Sequence, residues 1–215
     1  MSFPTILRIP NLLSLFRVAL VPVIAYCLWL DDPTATLVAV ILLASAGISD
    51  GLDGYLARRW DQVSKLGIAL DPIADKIMAG SLVILLIIFR DFPIWLAVVI
   101  IGRDLLILGL GLVLLSGERI VVPSNLTGKY AFSAIAILLI SYVIRHEFGI
   151  MITTWVTLPL IVASLGNYGH VFMRIRSGRT APQFKDRPLF LGLRVAATSL
   201  FSAIYLIKLY LDILK

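Results

Sequence analysis

Seven long apolar runs, separated by short charged connections, leave this chain few folds to adopt. They fall at about residues 11–30, 34–57, 66–89, 93–116, 125–144, 149–173 and 189–213. Each is about 20 residues or longer, the length at which a helix rising about 1.5 Å per residue crosses ~30 Å of hydrocarbon. Backbone polar groups in lipid must be satisfied within their own segment, so open-ended spans are helical. Composition agrees: 60% of the 215 residues are hydrophobic and only 15% charged, with a mean hydropathy of +0.98. A soluble domain of this length has no interior large enough to hide that much apolar surface. The sequence therefore predicts an all-α polytopic membrane helix bundle with six core transmembrane helices, a seventh C-terminal helix and a short N-terminal interfacial segment over residues 1–10. Arg194 and Lys208 interrupt the seventh run, so it either spans or lies at the interface.

The net charge of +6 fits nucleic acid or basic loops beside anionic lipid, and the apolar runs favour the second. One set of run ends carries Arg8, Arg58, Arg59, Lys65, Arg119, Lys129, Arg174, Arg176, Arg179, Lys185 and Arg187. At the other ends Asp31, Asp32, Arg90, Asp91, Arg145 and Glu147 nearly cancel. The basic ends are expected in the cytoplasm, in a bacterial-type inner membrane. Arg8 followed by an apolar stretch imitates a signal peptide, but bulky Tyr26 before Cys27 argues for a retained first span. Cys27 is the single cysteine, which excludes an internal disulfide, and its apolar surroundings assign it to packing.

The stretch "SDGLDGYLARRWDQVSKLGIALDPIADK" stands out against this background. Asp50 and Asp53 are three residues apart and Asp71 and Asp75 four apart, so each pair shares a helical face. Gly54 and Ala57 continue the first face and Gly67 the second, leaving room for a neighbouring helix or a ligand. Four carboxylates cannot cluster away from water without protonation, a cationic partner or a metal. Arg58 offsets one of them; for the remainder, all-oxygen donors favour hard divalent ions such as Mg²⁺ or Mn²⁺. The alternative, solvated charges at helix ends, suits any one of the four but not four at these spacings.

The pattern D-x-x-D-G-x-x-A-R-x8-G-x-x-x-D-x-x-x-D, filled here by Asp50, Asp53, Gly54, Ala57, Arg58, Gly67, Asp71 and Asp75, resembles the signature of the CDP-alcohol phosphotransferase family. The resemblance covers roughly residues 8–175 and divides the chain into a membrane catalytic domain, 1–175, and a basic loop with an additional hydrophobic helix, 176–215. It implies transfer of a phosphatidyl group from CDP-diacylglycerol to an alcohol with release of CMP, and a possible homodimer. It also implies two divalent cations on Asp50, Asp53, Asp71 and Asp75, with Asp75 as general base. Asp53, Gly54, Ala57, Arg58 and Gly67 would bind the CDP donor. A divalent-cation transporter is the rival from another class; it calls for acidic residues deep in several helices and has no use for Arg58 or the two glycines.

The acceptor is written more faintly. "IPNLLSLFR", with Asn11, Leu12, Leu13 and Arg17, resembles the opening of phosphatidylglycerophosphate synthases and of the cardiolipin synthases in the same family. Arg103 and Asp104 sit inside the fourth run, where an arginine must face the bundle interior or a wet cavity. Arg103 is either a ligand for an anionic acceptor or half of an ion pair with Asp104 or Asp71. In the resemblance, Gly-Arg-Glu at this point goes with glycerol 3-phosphate and Ser-Arg-Asp with cardiolipin synthesis; Gly102-Arg103-Asp104 mixes the two. Ser124, Asn125 and Thr127 are suited to capping the fifth helix, whose N-terminus attracts phosphate, and Lys129 adds a charge. An ordinary cap with a topological lysine is the alternative. Asn167, Tyr168 and His170 are candidates to line a cavity, His170 the weakest. Glycerol 3-phosphate is the expected acceptor, and phosphatidylglycerol the alternative.

Overall fold

A computed structural model describes residues 9–59, 65–115 and 126–177; the side chains of residues 9–11, 13, 50–75, 111–115 and 176 lie outside that description. The described residues form six helices and no strand: α1 (Ile9–Leu30), α2 (Pro33–Arg59), α3 (Lys65–Phe89), α4 (Ile94–Leu115), α5 (Leu126–Val143) and α6 (Glu147–Arg176). These are the first six expected runs. The largest departure is at α6, which outruns the expected 149–173 at both ends. The seventh run and residues 1–8 lie outside the described residues. Ile9 and Pro10 of the expected interfacial segment already belong to α1, whose first turn has no hydrogen bond for Pro10 to break.

The chain divides into two compact units, Met1–Ala97 and Val98–Lys215. In the first, α1 packs on both α2 and α3. Its core holds Leu20, Ile24, Leu28, Ala39, Val83 and Leu86, with Cys27 packed among them as expected. In the second, α5 packs on α6 around Ala131, Leu138, Val143 and Ile161.

Polarity runs inside out in both units. Trp155 is 75% and Val162 69% exposed, while Ser14, Arg17, Ser141, Thr153, Thr157 and Ser164 are buried. Water would oppose such a distribution, and hydrocarbon accepts it. Two of these hydroxyls bond their own helix, which lowers the cost of burying them: Ser141 Oγ donates to the Ile137 carbonyl at 2.7 Å and Thr153 Oγ1 to the Gly149 carbonyl at 2.5 Å, whereas Thr157 Oγ1 has no hydrogen-bond partner among the described residues. Among the described residues α5 and α6 are long and apolar enough to cross a membrane, and shorter apolar stretches cover Ser14–Leu30, Pro33–Ser49 and Lys76–Phe89.

Three tight connections carry a left-handed residue other than glycine: Asp31 (φ 52°), Asp91 (φ 52°) and Arg145 (φ 53°). The α5 end shows why. The His146 N–H reaches the Ser141 carbonyl at 3.0 Å and the Arg145 N–H the Tyr142 carbonyl at 3.2 Å, a pairing that needs positive φ at Arg145. Past Asp31, the Asp32 carboxylate caps α2, accepting from the Thr34 and Ala35 N–H groups at 2.8 and 2.9 Å, with Pro33 opening the helix. A left-handed conformation costs an L-residue about 1–2 kcal/mol, less for Asp. Asp91→Gly should therefore raise stability by about 0.5 kcal/mol after the extra unfolded-state entropy of glycine is counted. A thermal melt in detergent checks this; an unchanged or lowered midpoint contradicts it.

Candidate active site

The motif carboxylates lie on two continuous helices. Positions 50 and 53 fall on α2, with Gly54, Ala57 and Arg58 ahead of its C-terminus; positions 67, 71 and 75 fall on α3. Both backbones are helical throughout these stretches, so three- and four-residue spacings keep each pair on one face. Whether the four side chains meet lies outside the described residues. Lys76, just beyond Asp75, is exposed.

The second unit holds a cavity of about 350 Å³ lined by Arg103, Ile107, Gly128, Lys129, Phe132, Ser133 and Tyr168. Its lining follows from helix periodicity. Arg103 and Ile107 are one turn apart on α4, as are Gly128 and Phe132, and Lys129 and Ser133, on α5. Tyr168 comes from α6. Two residues named from sequence, Arg103 and Lys129, thus share one cavity. Ser124 and Asn125 lie outside the described residues. Thr127 accepts a 2.9 Å hydrogen bond from Asn167 Nδ2, tying α5 to α6, and His170 is exposed.

Arg103 is 8% exposed, and the ion pair with Asp104 that the sequence offered as one of two alternatives is present. Its Nη1 pairs with the part-exposed Asp104 carboxylate at 2.5 Å. Its Nη2 donates to the Gly128 carbonyl at 3.4 Å and to Ser164 Oγ at 3.2 Å, so one guanidinium touches α4, α5 and α6. The buried Nε has no hydrogen-bond partner, although the group borders the cavity. A buried N–H of a cation left unmatched is costly and suits an anion.

Gly128 has a steric reason for its identity. A Cβ built there would meet the Tyr168 hydroxyl oxygen at 3.1 Å and Cε2 at 3.3 Å, tighter than ordinary contact. The sequence reading does not single out Ser133 or Ser164. The signal available was the four-residue step from Lys129 to Ser133 and from Ser164 to Tyr168.

The described residues are thus all-helical and lipid-compatible, with aspartate pairs at positions of α2 and α3 and a cavity lined by Arg103 and Lys129. The chain belongs to the CDP-alcohol phosphatidyltransferase family, whose model matches residues 7–209. It is 37% identical over 134 residues to the CDP-diacylglycerol–glycerol-3-phosphate 3-phosphatidyltransferase of Bacillus subtilis, covering 57% of this chain and 69% of that one. It is 46% identical over 110 residues to a probable CMP-forming cardiolipin synthase of Drosophila melanogaster, covering 51% of this chain and 33% of that one. A CMP-forming cardiolipin synthase of Streptomyces coelicolor is 41% identical over 109 residues, covering 48% of this chain and 49% of its own. The matched region thus spans a third to about two thirds of these relatives.

Proposed function

We propose that the chain transfers a phosphatidyl group from CDP-diacylglycerol to glycerol 3-phosphate, giving phosphatidylglycerophosphate and CMP. The observation that carries the acceptor is the cavity of about 350 Å³ that pairs Lys129 with the buried, incompletely satisfied guanidinium of Arg103. A small phosphorylated alcohol matches its size and charge. The name of the Bacillus relative supports the same acceptor. The names of the Drosophila and Streptomyces relatives favour a second reading, cardiolipin formation with phosphatidylglycerol as acceptor.

In this reading Asp50, Asp53, Asp71 and Asp75 hold the divalent cations, as a set of hard oxygen donors one helical turn apart fits Mg²⁺ or Mn²⁺. When bound, the cations offset charge on the donor pyrophosphate and on departing CMP. Gly54, Ala57 and Gly67 leave space for the cytidine nucleotide, and Arg58 contacts phosphate or steadies the carboxylates. Asp75 takes the proton from the acceptor hydroxyl as its oxygen attacks the phosphorus that carries the diacylglycerol. One P–O bond forms, the pyrophosphate P–O bond breaks, and CMP leaves. The carboxylates lie at the cytoplasmic face of six or seven spans, where the donor's head and tails both reach, and the enzyme pairs as a homodimer.

The test is purified protein in detergent with labelled CDP-diacylglycerol and separate acceptors. Metal-dependent CMP release with glycerol 3-phosphate, abolished by chelation and restored by Mg²⁺ or Mn²⁺, is the expected result. Release with phosphatidylglycerol alone moves the assignment to cardiolipin synthesis. No release with any alcohol rejects the enzyme reading.

A further inference from the structure

We infer that Tyr168 is a specificity-determining residue: its phenol hydroxyl reads the spare C2 hydroxyl of a small phosphorylated acceptor whose phosphate lies against Arg103 and Lys129. This rests on the acceptor reading of the cavity proposed above.

The cavity divides its polar groups by charge. Arg103 and Lys129 are cationic, and Asp104 neutralises part of the first, leaving positive charge suited to a phosphate. The Tyr168 phenol both donates and accepts, which matches an alcohol better than a phosphate. Tyr168 lines the cavity, and its hydroxyl has no hydrogen bond among the described residues. Two further observations hold it there. Gly128, having no side chain, lets the ring lie against α5, with the hydroxyl oxygen 3.1 Å from where a Cβ would sit. Next to it, Asn167 is bonded to Thr127 at 2.9 Å, fixing α6 against α5 at this level.

The same short segment of α5 and α6 also holds the guanidinium. Arg103 Nη2 donates to the Gly128 carbonyl and to Ser164, one turn before Tyr168. The phenol and the guanidinium therefore converge on one residue, Gly128. A phosphate and a hydroxyl on adjacent carbons offer one group to each. In glycerol 3-phosphate the C1 hydroxyl is the nucleophile, which leaves the C2 hydroxyl for Tyr168.

The experiment compares glycerol 3-phosphate with 3-hydroxypropyl phosphate, which lacks only that hydroxyl, in the wild type and Tyr168→Phe. The wild type should favour glycerol 3-phosphate by about fivefold or more in kcat/KM, the effect of one neutral hydrogen bond. Tyr168→Phe should raise the KM for glycerol 3-phosphate by about the same factor. The KM for CDP-diacylglycerol and the kinetics of the deoxy analogue should stay unchanged, so the preference disappears. Gly128→Ala, which displaces the ring without removing the hydroxyl, should erode the preference as well. Equal losses with both acceptors, or a preference that survives in Tyr168→Phe, overturn the inference while leaving the acceptor reading intact. CMP release by the wild type with neither phosphorylated acceptor overturns both.

Discussion

Asp75→Asn should lower CMP release by about 10²- to 10⁴-fold, the usual contribution of a positioned general base, with the KM for CDP-diacylglycerol little changed. Asparagine keeps the shape and one oxygen of the carboxylate but cannot accept the acceptor's proton at neutral pH. Position 75 sits on the continuous helix α3, one turn from Asp71, so the substitution disturbs no turn or cap. The measurement is steady-state release of labelled CMP from protein whose monodispersity matches the wild type. Normal turnover removes Asp75 from the mechanism. Recovery of the rate at high Mg²⁺ leaves Asp75 its cation-holding role and removes its role as base, because added cation repairs weak binding but supplies no base.

How legible the chain was depends on which force sets each feature. Helix positions were readable because the cost of placing charge in hydrocarbon marks the ends of apolar runs. Asp31, Arg90 and Arg145 each fall just past a helix, and the expected run 66–89 is found as Lys65–Phe89. The aspartate spacings were readable for a similar reason, since a helix turns every 3.6 residues whatever surrounds it. Arg103 and Lys129 were each noticed because a cation in or beside an apolar run asks for an explanation.

Relations between helices were not readable. Nothing local links Gly128 to Tyr168, 40 residues on, yet the ring lies where a side chain at 128 would crowd it. Arg103 looked like either a ligand or a structural ion pair. The structure gives it both an Asp104 partner and a place on the cavity wall, and that follows only from the packing of α4, α5 and α6. The turn conformations carried no sequence signal for a different reason. Glycine is the usual signal for positive φ, and here Asp31, Asp91 and Arg145 take its place. The charges of the α1–α2 and α3–α4 connections were counted as a balance of opposite signs, when one pair is a structural link between them.

That link is where a large stability effect is expected. Arg90 has a side chain only 1% exposed, and its Nη1 lies 2.6 Å from Asp31 Oδ1. The same guanidinium donates to the Phe89 carbonyl at 3.0 Å and, at 3.4 Å, to the Leu28 carbonyl and Thr36 Oγ1, drawing the α1–α2 turn onto the end of α3. Asp31→Asn tolerates the left-handed backbone and preserves an acceptor oxygen, so it removes the charge and little else. It should cost about 2 kcal/mol, below the ~3–5 kcal/mol of breaking a fully buried pair because Asp31 is itself 45% exposed. Arg90→Met in the Asp31→Asn background should cost much less than Arg90→Met alone, since the cation left facing a neutral amide is gone. The double-mutant cycle, read from detergent unfolding midpoints, should give a coupling of about 1–2 kcal/mol. Additive losses mean that Arg90 is held by the carbonyls and its packing, and that the charge pair contributes nothing of its own.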